Sequence, residues 1–299
     1  MNSLSLASSQ RRAIAHVATL ASGPPVDPAL RVTLNFHPDR LLRGRSVLAT
    51  MAGTGVYSSQ FVTGTSNGGL TARPGGDRWR WESRMFEGAY DSTPAQERPV
   101  YGALNFRRYP VGGAPRFGSA HFRLGSPALD RTTFCYPDSF CEPTDFGVAS
   151  RMGLVELALA DRQDVLDDYI EAQVHGPVRP DRHVEALVLD PCYRGTAVET
   201  AARRLGCPVE WHTGFRLTVD ELRRHPGYRG QEYVELGAAI AVDGVLDPRI
   251  VGDAACGGRF DSQAIKKVWH CLARFGHPWD ARAAVPGGPV EAVPAGTDR

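Results

Sequence analysis

The chain has 299 residues, of which 42% are hydrophobic and 22% are charged, as in globular proteins that bury a full core. Its 34 basic and 33 acidic residues nearly cancel, so the charge gives no indication of bulk nucleic-acid binding. No stretch approaches the roughly 20 apolar residues that a membrane-spanning helix needs.

The six cysteines contain no CxxC pair and no Cys/His spacing typical of a zinc site, so we expect reduced thiols and no metal. Reduced thiols favour a cytoplasmic protein, and export by a route without a signal peptide stays open. Among the 34 basic residues only Lys266 and Lys267 are lysines, an imbalance that GC-rich coding explains.

The first 28 residues predict a helix followed by a linker. Ile14, Val17 and Leu20 recur at helical spacing, and the segment "SGPPVDP" (22–28) then breaks the chain. This helix is too short and too polar for an export signal.

A core begins at residue 29. In "ALRVTLNFHPDR" (29–40), apolar Val32, Leu34 and Phe36 alternate with polar residues, which indicates a strand with one polar face that ends near His37. The stretch 53–78 is rich in Gly, Ser and Thr and predicts two short extended pieces separated by turns. We expect its last part, residues 65–78, to be a mobile lid over a pocket.

Later strands carry more chemistry. Residues 97–106 and 115–124 both read as strands with aromatic residues, and residues 152–168 show a helical pattern. The strand "DDYIEAQVHGPV" (167–178) then places four polar side chains on one face: Tyr169, Glu171, Gln173 and His175. That polar row is either a solvated sheet surface or the floor of an active site.

Beyond residue 183 the pattern becomes strand, helix, strand, and residues 261–276 predict a final helix. The turn in "LVLDPCYRGTAVETAARRLG" (187–206) lacks the GxGxxG of phosphate sites, so we interpret it as structural. The chain therefore predicts an α+β fold. A split, mainly antiparallel sheet around a cleft forms the core (29–190), an α/β extension packs on it (191–280), and a disordered tail follows (281–299).

The order of reactive residues along the chain resembles the ADP-ribosyltransferase superfamily. His37, Tyr57 in "GVYSSQF", Thr65 and Ser66 in "TGTS", and Glu171 on a late strand follow the superfamily's order of motifs. The stretches "RPVYGALNF", "GSAHFRL" and "RTTFCYPDS" are similar to segments of its phage and bacterial toxin-associated members. Residues 31–280 also resemble a bacterial family known only as a domain of unknown function.

The superfamily resemblance implies an enzyme that cleaves NAD at the bond between nicotinamide and ribose and transfers ADP-ribose. The ionised Glu171 would stabilise positive charge on the sugar in the transition state. His37 would bind the ribose or the phosphates, Tyr57 would stack on nicotinamide, and Thr65 or Ser66 would orient the glutamate. Gln173 and Arg40 complete the implied NAD-binding set, and no metal is required.

Two features leave the substrate and one position open. Arginine-specific members carry an acidic residue two positions before the catalytic glutamate, where this chain has Tyr169, so the acceptor is an unknown protein, nucleic acid or small molecule. Arg31 or Arg40 could replace His37 at the first-strand position. We nevertheless expect His37, Tyr57, Ser66 and Glu171 to converge on one pocket.

Two other functions compete with this interpretation. A metal-independent ribonuclease could use His37, His121, His175 and Tyr169 as general acid and base. A non-catalytic binding module would use the glycine-rich loops as contacts and leave residues 169–175 as a wet sheet face. Titratable groups crowded over a concave pocket would favour an enzyme.

Overall fold

The fold is described from a computed structural model, which covers residues 6–42, 44–64 and 70–279. Within these ranges the strands are β1 (Val32–Phe36), β2 (Leu41–Leu42), β3 (Arg45–Ser46), β4 (Val100–Leu104), β5 (Ala120–Leu124), β6 (Thr132–Tyr136), β7 (Asp145–Val148), β8 (Ile170–Val174), β9 (Val184–Leu189), β10 (Val209–Trp211), β11 (Leu217–Thr218) and β12 (Val245–Leu246).

The helices in the same ranges are α1 (Ser8–Leu20), α2 (Val47–Thr54), α3 (Gln60–Thr63), α4 (Asp77–Met85), α5 (Leu154–Ala160), α6 (Pro180–His183), α7 (Ala197–Ala202), α8 (Val219–Leu222), α9 (Gln231–Ile240), α10 (Pro248–Cys256) and α11 (Ser262–Phe275). None of them combines the length and the apolar character that crossing a bilayer requires.

Eight strands form one mixed sheet in the order β10-β9-β5-β1-β4-β8-β6-β7. All neighbours are antiparallel except β9 and β10, which are parallel and are connected through α7. The predicted α+β class with a mainly antiparallel sheet is therefore confirmed. The sheet also continues past residue 190, because β10 extends its edge.

The two faces of the sheet differ in polarity because side chains alternate along each strand. Val32, Leu34 and Phe36 of β1 point into the main hydrophobic core, where α2, α5 and α7 cover the sheet. On the opposite face, α1 and α4 pack over β6 and β7 around Trp81, Met85 and Tyr90. The alternation of apolar and polar residues in the β1 sequence thus correctly predicts which side of this strand faces the core.

A second core lies among α8, α9, α10 and α11, where Trp269 is fully buried. The Trp269 indole N–H donates to the carbonyl oxygens of Pro115 and Arg116, at 3.2 and 3.1 Å. The segment that leads to β5 also crosses β1, where the Asn35 side-chain amide donates to the Val111 carbonyl at 2.9 Å. This segment therefore connects the C-terminal helices to the central strand.

The predicted N-terminal and final helices are confirmed as α1 and α11. The Asp261 carboxylate caps α11 by accepting from the backbone N–H groups of Gln263 and Ala264. β4 and β5 lie within the predicted strands 97–106 and 115–124. The predicted helical pattern over 152–168 is limited to α5.

The prediction of two extended pieces is wrong for residues 53–64 and 70–78, because these described parts contain the end of α2, the short α3 and the start of α4. Gly55 and Gly64 terminate α2 and α3 with φ of 67° and 68°, so these glycines act as helix C-caps. In these described parts Tyr57 contributes one isolated bridge, to Val178. Thr65 and Ser66 lie outside the described residues, as do the whole of the predicted tail 281–299 and part of the predicted lid.

Candidate functional site

The sheet opens between β1 and β4. These two strands pair only at Val32 with Leu104 and Thr33 with Ala103, whereas β1 stays paired with β5 as far as Phe36. A Cβ atom on Gly102 would lie 2.4 Å from the Thr33 carbonyl oxygen, so glycine is required where β4 passes closest to β1. Beyond this point the end of β1 and the start of β4 border a gap.

A cavity of about 470 Å³ occupies this gap. Phe36 and His37 at the end of β1 and Val100 and Tyr101 at the start of β4 form its inner wall. Residues 47–63, which include α2 and α3, form one side, and the start of α11 with Arg116 and Phe117 forms another. The cavity is therefore concave and draws on both the sheet and the C-terminal helices.

His37 lies in the cavity wall with its ring edge-on to Trp269, at 4.9 Å between centroids. Burial, the Arg40 guanidinium and the Lys266 ammonium lower the pKa of His37 to about 3, so its imidazole is neutral at pH 7. Its ring nitrogens make no hydrogen bond to any described residue. A neutral imidazole with free nitrogens can both donate to and accept from a polar ligand.

Tyr57 lines the same cavity from the segment between α2 and α3. Its backbone N–H donates to the Val178 carbonyl at 2.8 Å, and its ring packs against Phe36 and Phe122, with centroids 6.3 and 5.8 Å away. Burial raises the pKa of Tyr57 to about 12, so the hydroxyl stays protonated. The backbone bridge and the two aromatic contacts fix where this ring meets the cavity.

The polar row on β8 is buried and is not a wet sheet face. Glu171 is 6% exposed, Gln173 and His175 are 0% exposed, and all three lie on the sheet face that α4 covers. His175 bonds the Tyr90 hydroxyl at 2.5 Å through Nδ1 and the Thr133 hydroxyl at 3.0 Å through Nε2. Partners inside the protein thus replace water along this row.

Glu171 has several such partners. Its carboxylate accepts from the Ser139 hydroxyl at 2.8 Å and from the Gln173 side-chain amide at 3.0 Å, and the Arg78 guanidinium lies 3.8 Å away. Burial raises the pKa of Glu171, and the positive charge of Arg78 opposes that shift. Gln173 in turn accepts from Thr133 at 3.0 Å. Neither Glu171 nor Gln173 lines the cavity.

Tyr101 connects the buried network to the cavity. Its side chain lines the cavity, its hydroxyl donates to Glu82 at 3.0 Å, and Arg78 lies 4.0 Å above its ring. Glu82 also accepts from Arg98, yet burial dominates and raises the pKa of Glu82 to about 7. Glu171 therefore lies one layer behind the cavity wall, with Arg78 and Tyr101 between.

The structure thus brings His37, Arg40 and Tyr57 together around one cavity and places Glu171 and Gln173 in the adjoining network. Sequence reasoning missed Arg78, Glu82 and Tyr101. Arg78 and Glu82 are four residues apart on α4, a spacing that places both on one helix face and could have indicated them. Nothing local marks Tyr101, because its contact with Arg78 depends on tertiary packing.

Histidines proposed for the ribonuclease alternative do not meet at the cavity. Of His37, His121 and His175, only His37 is among the described residues that line it. Burial lowers the pKa of both His121 and His175 to about 3, so both imidazoles are neutral near pH 7 and neither is a cationic general acid. The geometry offers no pair of histidines for acid–base catalysis in this cavity.

Comparison with known proteins gives one family. No curated protein matches the chain. The sequence profile of the family described as "Protein of unknown function (DUF3626)" matches residues 31–162 and 153–275, which together span the sheet, the cavity and the C-terminal helices. These segments cover well over half of the 299 residues. The chain therefore belongs to the DUF3626 family.

Proposed function

We propose that the protein is an ADP-ribosyltransferase-like enzyme that binds NAD in the cavity between β1 and β4 and cleaves its nicotinamide–ribose bond. The observation that carries the proposal is the opening of the sheet at this place, where His37, Arg40 and Tyr57 from the predicted motif order line one cavity. A volume of about 470 Å³ is within the range of small-molecule sites.

The roles follow from the residue types. Neutral His37 hydrogen-bonds the ribose, Tyr57 presents an aromatic surface to nicotinamide, and Arg40 offers a positive charge to the phosphates. The cavity supplies hydroxyl groups around them, from Thr50, Thr54, Ser58, Ser59 and Ser262. The acceptor of ADP-ribose stays open between a protein, a nucleic acid and a small molecule.

Glu171 is the proposed catalytic carboxylate. Departure of nicotinamide leaves positive charge on the ribose, and a carboxylate beside it stabilises that charge mainly in the transition state. Because Arg78 and Tyr101 lie between Glu171 and the cavity, the proposal requires these two side chains to shift when NAD binds. Arg78 already contacts both Tyr101, which lines the cavity, and Glu171. A shift of this one side chain can therefore link ligand binding in the cavity to the Glu171 carboxylate.

The test is nicotinamide release from NAD by the purified protein, combined with calorimetric titration of NAD. Glu171→Gln keeps the size of the side chain and removes its charge. We expect turnover to fall on the order of a hundredfold, the scale seen when one electrostatic group is deleted, with little change in NAD affinity.

Glu142→Gln is the matched control, because Glu142 is exposed and pairs only with exposed Arg84 among the described residues. It should release nicotinamide at the wild-type rate, and circular dichroism should show both variants folded. Wild-type turnover in the Glu171 variant would remove its catalytic role. If the wild-type protein bound no NAD, the chain would be better interpreted as a binding module for another ligand.

A further inference from the structure

Three cationic side chains from distant parts of the chain line the cavity: Arg40 after β1, Arg116 before β5, and Lys266 on α11. None of the described residues that line the cavity is an aspartate or a glutamate. Lys266 is also one of only two lysines in a chain with 34 basic residues. The cavity is therefore positively charged at the end that faces α11.

These cations lie close enough to act on one another. Arg40 and Lys266 both lower the pKa of His37, and burial together with Arg116 lowers the pKa of Lys266. Like charges at this range destabilise each other unless an anion lies between them. Arg116 pairs with Asp167, which does not line the cavity, and Arg40 forms no ion pair with any described residue.

At the start of α11, side chains and not the backbone N–H groups of the helix end are available to contact a ligand. The Asp261 cap already occupies the N–H groups of Gln263 and Ala264, so these amides are not free for a ligand. Ser262, Gln263 and Lys266 nevertheless present their side chains to the cavity. A hydroxyl, an amide and an ammonium, together with the guanidinium groups of Arg40 and Arg116 that line the same cavity, form a donor set that suits phosphate oxygens.

We propose that α11 and Arg116 form a phosphate subsite at this end of the cavity, and that Lys266 binds a phosphate of the nucleotide ligand. The subsite deepens the proposed function, because it places the diphosphate of NAD against the C-terminal helices. It does not depend on cleavage of NAD, since any nucleoside diphosphate of suitable size would use the same contacts.

Calorimetric titration with ADP and with adenosine tests the subsite. The variants are Lys266→Met, which keeps the aliphatic stem, and Lys267→Met, which removes the neighbouring charge on the same helix outside the cavity wall. We expect ADP to bind more tightly than adenosine. Lys266→Met should raise the Kd for ADP about tenfold, as loss of a charge-assisted hydrogen bond does, while Lys267→Met changes it less than about twofold.

Raising the salt concentration should weaken ADP binding more in the wild type than in Lys266→Met. Absence of ADP binding, equal affinity for ADP and adenosine, or equal effects of the two lysine variants would overturn the subsite. Nicotinamide release decides the proposed function separately. ADP binding that depends on Lys266, without nicotinamide release, would support the subsite and refute NAD cleavage. Nicotinamide release with an unchanged KM for NAD in Lys266→Met would support NAD cleavage and refute the subsite.

Discussion

Thr133 hydrogen-bonds two members of the buried polar row on β8. Its hydroxyl lies 3.0 Å from Gln173 and 3.0 Å from His175, and the side chain is fully buried. Gln173 then donates to Glu171, so the orientation of the proposed catalytic carboxylate depends on a residue two strands from the cavity. A stable network of this kind limits how far Glu171 can move.

We therefore predict that Thr133→Val lowers the free energy of unfolding by about 1–3 kcal/mol, because the substitution keeps the shape and leaves two buried polar groups without a partner. Urea denaturation measures the loss. Thr19→Val is the control, since among the described residues the Thr19 hydroxyl bonds only the His16 carbonyl, at the protein surface, and its effect should stay within about 0.5 kcal/mol. Equal losses for the two variants would contradict a structural role for the network.

Helix α10 packs directly against the "HPDR" turn that leads from β1 into the cavity. A Cβ atom on Gly252 would lie 1.6 Å from the Asp39 carboxylate, which also accepts from the Tyr193 hydroxyl at 2.7 Å. Burial raises the pKa of Asp39 to about 6. Gly252 therefore allows the close approach that fixes the turn carrying His37 and Arg40.

Gly252→Ala should destabilise the protein by about 1–3 kcal/mol, as overpacking does, because the Asp39 carboxylate that accepts from Tyr193 must shift. Gly53→Ala on α2 is the matched change, since a Cβ atom there meets nothing within 4 Å and φ is not positive. Alanine at position 53 should leave stability unchanged or raise it by up to about 1 kcal/mol. Thermal unfolding of both variants distinguishes a packing effect from a general effect of glycine replacement.

Local patterns at the element scale predicted α1, α11 and the main strands, because helical spacing, caps and strand alternation are local signals. The same local patterns did not predict α2 and α3. In the sequence, the glycines that end these helices indicate turns between extended pieces. The sequence also favoured His37, Arg40 and Tyr57, which do share a cavity. Their relation to Glu171 depends on Arg78 and Tyr101, whose packing no local pattern encodes.

Buried neutral histidines make the whole molecule sensitive to acid. Burial lowers the pKa of His121 and His175 to about 3 and that of His270 to about 2, all below the usual value of 6.5. As the pH falls, these histidines bind protons in the unfolded chain before they do so in the folded protein. Their contribution to the free energy of unfolding is therefore complete above pH 6.5 and is lost as the pH falls toward 3. Glu82 and Asp39 act in the opposite direction, because their pKa values of about 7 and 6 favour the folded state at lower pH.

Since the histidines outnumber these carboxyl groups, we predict that the free energy of unfolding falls between pH 7 and pH 4.5. Urea midpoints across this range measure the slope. His175→Gln, which can keep a bond to Thr133 or Tyr90, should reduce the slope, because one proton fewer is taken up on unfolding. A flat profile in the wild type, or an unchanged slope in the variant, would contradict this account.

The cavity walls come from positions as far apart as Phe36 and Lys266. During synthesis, a nascent chain that ends before Ser262 has all eight strands of the main sheet but still lacks α11 as a wall of the cavity. Translation thus delays completion of the pocket until α11 leaves the ribosome. We expect ribosome-bound intermediates to be folded in the sheet yet unable to hold a nucleotide, so that ligand binding begins only after α11 has been synthesised.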